Sequence, residues 1–155
     1  MTIKKITFIL DTSSLIDDVN LLTKIKKTNN KIIIPEKVYY ELKYLEKKGG
    51  PVGHKATIAL RELDFYIQYS SVNNFNPRLL VTKDTEQERK SLSKMLHLDF
   101  TDQTVGNDNQ ILANAFRNPT LSILISSDKK LKHLAKRRRI LCFETFEEAL
   151  NQAQT

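Results

Sequence analysis

Short apolar runs alternate along this chain with longer segments in which apolar residues recur at helical spacing. Four of these runs lie at residues 7–10, 31–34, 121–125 and 140–143. Short, continuously apolar strands are typical of a parallel sheet, and strand–helix alternation places helices on both faces of that sheet. We therefore expect an α/β fold: a single three-layer α/β/α domain over residues 1–155, with a mostly parallel central sheet.

Capping and stop residues set the expected helix boundaries. Thr12 or Ser13 can cap a first helix that runs through Ile25, because a hydroxyl side chain can accept a hydrogen bond from a free N–H of the first turn. The Gly-Gly-Pro sequence at 49–51 ends one helix, and Thr145 caps the last one. Helices are thus predicted at about 13–25, 36–48, 53–69, 86–98, 108–116, 129–138 and 145–153, with a further short strand at 78–82.

Composition narrows the compartment and the partners. The single cysteine excludes an internal disulfide and a zinc site built from several cysteines, so a reducing cytoplasm is the simplest compartment. No stretch approaches the roughly 20 apolar residues of a membrane helix, and the first residues lack the apolar run of a secretory signal. The formal net charge of +7 favours a polyanionic partner, and a biased genome composition is an alternative explanation of that charge.

Four acidic residues interrupt the apolar pattern of the segments that carry them. Asp11 and Asp128 follow apolar runs, while Glu41 and Asp108 lie at helical spacing from apolar neighbours. A charged residue is rarely fully buried unless it is paired, and the carboxyl ends of parallel strands form the usual ligand-binding crevice. We therefore expect these acids to share a partner at that edge of the sheet.

Clustered carboxylates need a cation. Two unit charges about 4 Å apart repel by roughly 4 kcal/mol at an effective dielectric near 20, so four neighbouring acids must bind protons, basic side chains or metal. Oxygen ligands suit Mg²⁺ or Mn²⁺, and a pair of such ions can activate water for phosphoryl displacement. Each acid also has an ordinary explanation: Asp11, Asp108 and Asp128 as residues that begin or cap a helix, and Glu41 as the partner of a nearby lysine.

The segment that directly follows Asp128 is strongly basic. It can form a track for a phosphate backbone, or it can be a solvated helix face whose terminal cations suit the helix dipole. The five tyrosines can stack on bases or, as is commoner on helices, complete the packing. The candidate nucleic-acid-binding residues are Lys129, Lys130, Lys132, Lys136, Arg137, Arg138 and Arg139.

Four motifs, in this order along the chain, resemble those of the PIN-domain nucleases. They are ILDTS at 9–13, IPxxVxxEL at 34–42, NDNxILA at 107–113 and SSD at 126–128. The sequence GPVGHKA, which leads into ALRELD at 59–64, resembles the PIN domains fused to PhoH-like ATPases. The resemblance covers most of the chain. Residues 70–104 are the least family-like part and are expected to be a variable region.

This resemblance implies an activity and assigns residues to it. The expected protein is a metal-dependent endoribonuclease that hydrolyses phosphodiester bonds of single-stranded RNA with a Mg²⁺- or Mn²⁺-activated water; related branches cut flap DNA. The family often has Asn at the position of Ser13 and Thr at that of Ser126. By the resemblance, the catalytic and metal-binding acids are Asp11, Glu41, Asp108 and Asp128, and the supporting hydroxyls are Thr12, Ser13, Ser126 and Ser127.

Two other functions fit the same residues. The first is a catalytically weak or inactive PIN-like module that binds RNA or protein without a competent metal site. The second is the nuclease toxin of a toxin–antitoxin pair, in which an antitoxin would be the partner. The resemblance also makes a homodimer a reasonable expectation. No membrane association is expected.

Overall fold

Five parallel strands form one sheet in the computed structural model, which describes residues 6–28, 30–73, 79–82, 122–137 and 139–153. The strand order is β3-β2-β1-β4-β5, and every neighbouring pair is parallel. The prediction of a parallel sheet within an α/β/α fold is therefore confirmed. The strands are β1 (Thr7–Leu10), β2 (Lys31–Pro35), β3 (Leu79–Thr82), β4 (Ser122–Ile125) and β5 (Leu141–Phe143).

The helices connect these strands and cover the sheet. Most predicted helices are present within a few residues of their expected ends, whereas those predicted at 86–98 and 108–116 lie outside the described residues. No helix among the described residues is long and apolar enough to cross a membrane. The helices are α1 (Thr12–Asp17), α2 (Leu21–Lys26), α3 (Glu36–Lys48), α4 (Gly50–Asn73), α5 (Lys129–Arg137) and α6 (Phe146–Ala153).

The prediction of one continuous first helix is wrong, because the helix is interrupted: α1 ends at Asp17 and α2 begins at Leu21. Asp18 ends α1 in an extended conformation, with φ −134° and ψ 97°. Its carboxylate Oδ1 accepts a hydrogen bond from the backbone N–H of Asn20 at 3.0 Å. An aspartate that binds the backbone two residues ahead offers a turn in place of the helical hydrogen bond, which explains the break.

The α3–α4 junction is tighter than the sequence pattern predicts. Gly49 and Gly50 both have φ of +73°, a conformation that suits glycine, and α4 begins directly at Gly50 rather than near Gly53. Pro51 lies in the first turn of α4, where its missing N–H costs little. A Cβ on Gly53 would lie 2.8 Å from the carbonyl oxygen of Leu45, so the two helices approach closely here.

Buried apolar side chains pack against both faces of the central strand β1. Successive residues of β1, which point to opposite faces of the sheet, are all buried, so both faces of this strand are covered. Phe8 is fully buried and packs edge to face on Phe146 of α6, with ring centroids 5.3 Å apart. Because β1 is anchored in this way, the residues that follow it have a fixed position.

The strand order, and not the strand direction, reverses between β1 and β4, because all five strands are parallel. β1 is followed in space by β2 and β3 on one side and by β4 and β5 on the other. In this register Leu10 is opposite Ile125, so Asp11 and Ser126 leave the sheet side by side. Ligands of open parallel sheets bind at such a point, just beyond the carboxyl ends of the strands.

Candidate functional site

Asp11 is a buried carboxylate at this reversal point. It follows β1 and is the N-cap of α1, where its Oδ1 accepts a hydrogen bond from the backbone N–H of Ser14 at 3.0 Å. The residue is only 4% exposed. The Ser14 hydroxyl also binds the backbone oxygen of Asp11 at 2.8 Å, which fixes the turn. Both capping and burial therefore hold this side chain in one orientation.

Two further hydroxyls bind the carboxylate of Asp11. The Ser13 hydroxyl lies 3.0 Å from Oδ1 and 2.9 Å from Oδ2, and the Ser126 hydroxyl donates to Oδ2 at 2.5 Å. With the Ser14 N–H, three donor protons serve a group that has about four acceptor positions. Because the single Ser13 proton is shared between the two oxygens, the three protons do not saturate the carboxylate, which can still accept a cation or a water molecule.

Burial raises the pKa of Asp11 above its usual value, because removal from water disfavours the charged carboxylate. The hydrogen bonds from Ser126, from the Ser14 backbone and from Ser13 lower this pKa in part. Without a cation, folding therefore makes ionisation of Asp11 less favourable. A divalent cation beside the carboxylate would favour the ionised form.

Replacing Ser126 with alanine is expected to destabilise the protein by about 1–3 kcal/mol at neutral pH. The variant lacks the hydroxyl that donates to the buried carboxylate of Asp11 and accepts a hydrogen bond from the Asp128 N–H. Loss of that donor raises the pKa of Asp11 further, so the destabilisation should shrink at acidic pH, where Asp11 is protonated. Urea unfolding of both proteins across this range measures the effect. The control is Ser127→Ala, which removes a hydroxyl bound to the exposed Asp17 and should cost much less; equal losses would contradict the account.

Glu41 approaches the same edge of the sheet from α3. Val38 and Leu42 are fully buried and fix this helix against the core, while Glu41 is half-buried at the border of the apolar face. The hydroxyl of Thr12 donates to Oε2 of Glu41 at 2.7 Å. Because Thr12 directly follows Asp11, this bond connects the second candidate acid to the first.

Asp128 has the ordinary role that the sequence left open. Its Oδ1 accepts hydrogen bonds from the backbone N–H groups of Lys130 at 2.9 Å and Leu131 at 3.3 Å, so it caps α5. Its own N–H donates to the Ser126 hydroxyl at 3.0 Å. The carboxylate is exposed. Asp128 is therefore tied to the Asp11 network through its backbone, and capping of α5 is its observed role.

Asp108 lies outside the described residues. In the part of the chain that is described, no three His, Cys, Asp or Glu side chains form a group that could hold a metal ion. Among the described acids, Asp11 and Glu41 are connected through Thr12, which directly follows Asp11 and donates to Glu41. Their oxygens, with those of the nearby hydroxyls, form a donor set of the hard type that fits Mg²⁺ or Mn²⁺.

Ser127 takes part in an interaction that the sequence analysis did not anticipate. Its hydroxyl donates to Asp17 rather than to one of the four candidate acids, and its N–H donates to the Ser13 hydroxyl at 3.2 Å. Asp17 follows Ser13 by four residues, about one helical turn, so the two lie on the same side of α1. This spacing is the feature of the sequence that could have indicated a role for Asp17 near Ser13. Ser127 and Asp17 line a cavity of about 150 Å³ together with Ser14, Asp18, Leu21, Ile125, Glu144, Thr145, Phe146 and Glu147.

The basic segment forms α5 and the turn after it. Lys132 forms an ion pair with Glu144. The hydrogen bond to the Glu144 carboxylate raises the pKa of Lys132 above its usual value. Arg138 lies outside the described residues. The cations of the predicted set that are exposed are Lys129, Lys130, Lys136, Arg137 and Arg139.

The sequence matches the model of a known family. The PIN domain family model matches residues 8–145, so the chain belongs to the PIN domain family. Proteins of this family are generally nucleases and typically use divalent metals.

A solved structure shares the fold. It is described as a domain of a functionally unknown protein from Methanocaldococcus jannaschii DSM 2661, with 27% sequence identity and a TM-score of 0.54. The match covers 88% of this chain and 89% of that one. Among curated proteins, none is significantly similar to the sequence. The family match therefore indicates the functional class, and the site residues of this chain are the basis for proposing the reaction.

Proposed function

We propose that this PIN domain is a Mg²⁺- or Mn²⁺-dependent endoribonuclease that hydrolyses phosphodiester bonds in single-stranded RNA. The observation that carries the proposal is the buried carboxylate of Asp11 at the reversal of the strand order. Three donors orient it, and their three protons do not saturate the carboxylate. Family membership supports hydrolysis of a nucleic acid as the reaction.

The proposed cation ligands are Asp11, Glu41 and Asp108. Asp128, which forms no three-acid group with Asp11 and Glu41 in this structure, is proposed to join them when the cation binds. The hydroxyls of Ser13 and Ser126 hold the Asp11 carboxylate, and Thr12 holds that of Glu41. Both capping bonds of Asp128 use Oδ1, so Oδ2 is the oxygen proposed to face the cation.

A divalent cation held by these residues would supply a Lewis acid to activate water and to offset negative charge on the leaving oxygen. The residues of this chain orient the ligand oxygens before the substrate arrives, which reduces reorganisation during the reaction. The proposed products carry 5′-phosphate and 3′-hydroxyl ends. The test is incubation of the purified protein with end-labelled single-stranded RNA in Mn²⁺ or in EDTA. Internal cuts only with Mn²⁺ support the proposal, and intact RNA in both contradicts it.

The exposed cations of α5 are proposed to hold the phosphate backbone of the RNA. The triple variant Lys129→Gln, Lys130→Gln and Lys136→Gln should lower the dependence of log affinity on log salt by roughly 2, at about 0.7 for each single-strand phosphate contact. Fluorescence anisotropy with labelled RNA over a salt series measures this slope. The control is Lys27→Gln, which removes an exposed lysine after α2 and should leave the slope unchanged. Equal slopes for the triple variant and the wild type would remove α5 from the binding surface.

One observation favours a second candidate function. Asp128 caps α5, and no three-ligand group forms among the described residues. A module that binds RNA without cutting it would need only the basic surface. The same RNA assay separates the two functions, because the module would retain salt-dependent binding and show no cleavage in Mn²⁺.

A further inference from the structure

Two tyrosines of α3 are largely exposed to solvent. The side chains of Tyr40 and Tyr44 are 59% and 60% exposed, although large aromatic residues on helices usually complete the packing. They are four residues apart, which places them on the same side of the helix and about 6 Å apart along its axis. The Tyr40 ring contacts the Tyr39 ring edge to face, with centroids 6.1 Å apart, yet Tyr40 and Tyr44 both stay largely exposed, so a binding role is considered.

Lysines flank these rings along the same side of α3. Lys37 and Lys48 lie three residues before Tyr40 and four residues after Tyr44, so the four residues form one stripe, here called the tyrosine–lysine stripe. The Lys48 ammonium lies 5.4 Å from the centroid of the Tyr44 ring. The stripe thus has two neighbouring exposed rings with a lysine at each end.

The combination of exposed rings and lysines favours one class of ligand. Lysine is depleted in the cores of protein–protein interfaces, whereas single-stranded nucleic acids bind to surfaces that combine aromatic rings for the bases with cations for the phosphates. The formal net charge of +7 also favours a polyanion as the ligand over a partner protein that has few acidic residues. Stacking tolerates any base, so this ligand needs no particular sequence.

We propose that the tyrosine–lysine stripe binds single-stranded RNA by stacking unpaired bases on Tyr40 and Tyr44. The inference rests on the proposed function and deepens it, because it adds a subsite for the bases. Glu41 immediately follows Tyr40 in α3 and binds Thr12 beside Asp11. A strand that lies along the stripe therefore passes next to the candidate site, which fits a substrate with unpaired bases and disfavours a duplex.

The test uses the absence of tryptophan from the chain. In the variant Tyr44→Trp, a single indole replaces the exposed ring and retains the capacity to stack. Titration with single-stranded RNA in EDTA, which prevents metal-dependent cleavage, should quench its emission saturably. The control is Phe65→Trp, an exposed aromatic position of α4 that follows Asp64 in the sequence, and its emission should change little.

A second pair of variants measures the contribution of stacking to binding. The double variant Tyr40→Leu and Tyr44→Leu keeps apolar volume, removes both rings and should weaken RNA binding about tenfold or more, whereas Tyr40→Phe with Tyr44→Phe should bind like the wild type. Circular dichroism checks that the leucine variant is folded. If it is unfolded, the tryptophan titration and the phenylalanine variant decide.

The outcomes separate this inference from the nuclease proposal. If the leucine variant is folded and both binds and cleaves RNA normally, stacking on the stripe is overturned while the nuclease proposal stands. If the wild type does not cleave RNA but Tyr44→Trp emission is quenched by it, the stripe stands and the nuclease proposal falls. If the emission changes with protein concentration and not with RNA, the stripe contacts a second copy of the chain, which overturns the inference.

Discussion

Replacing Asp11 with asparagine is expected to lower the rate of RNA cleavage by about a thousandfold or more, with the fold intact. The loss corresponds to roughly 4 kcal/mol of transition-state stabilisation, a reasonable value for removing a cation ligand. Asparagine has the same shape and is an equally good N-cap, so the hydrogen bond to the Ser14 N–H can be kept. Initial rates with end-labelled RNA in saturating Mn²⁺ measure the effect.

The stability of this variant without metal provides the internal check. Folding raises the pKa of Asp11, chiefly because the carboxylate is buried, so its contribution to stability is most favourable below its unfolded pKa and is lost as pH rises through the folded pKa. Asp11→Asn lacks this penalty and should be at least as stable as the wild type at neutral pH. Its advantage should shrink as pH falls.

The matched control is Asp17→Asn, which changes an exposed acid at the other end of α1 and should retain most of the cleavage activity. Full activity of Asp11→Asn would exclude Asp11 from catalysis. A large loss of metal-free stability at neutral pH would show that the Asp11 carboxylate is needed for the fold itself.

Mn²⁺ is expected to raise the melting temperature of the wild-type protein by about 5–10 °C at 100 times its Kd. Binding to the folded state alone at that concentration contributes about 2.7 kcal/mol, and each kcal/mol shifts the melting temperature by about 2–4 °C for a domain of this size. Asp11→Asn should show little of this shift. Differential scanning calorimetry with and without Mn²⁺ measures it.

The acid-lined cavity beside α6 is the alternative location that the same measurement checks. Its acids include Asp17, Asp18, Glu144 and Glu147, and Lys24 already pairs with two of them, Asp18 at 2.7 Å and Glu147 at 3.0 Å. A melting shift that survives in Asp11→Asn but disappears in Asp17→Asn would place the bound cation in this cavity. That result would contradict the assignment of the site to Asp11.

The position of Asp11 follows from local sequence. The continuous apolar run of β1 predicts a buried parallel strand, and the carboxyl end of such a strand is where a ligand binds. The side of α3 that carries Glu41 was equally predictable from the helical spacing of Val38 and Leu42. Both features depend on residues that are close together in the chain.

The hydrogen-bond partners at the site could not be predicted in the same way. Ser126 binds Asp11 across 115 residues, and Ser127 binds Asp17 across 110, so these pairings depend on β4 being placed next to β1. Strand order is a property of the whole sheet. The break between α1 and α2 was missed for a different reason: helical periodicity continues through Leu21, while the side chain of Asp18 competes locally for the backbone.

The most direct test of the account is a crystal soaked in Mn²⁺ and measured for anomalous scattering. We expect a peak within coordination distance of the Asp11 carboxylate, with Glu41 as a further ligand at oxygen distances of about 2.0–2.6 Å. A well-ordered Asp11 that keeps its three hydrogen bonds, with no anomalous peak beside it at saturating Mn²⁺, would contradict the claim that this buried carboxylate binds the catalytic cation.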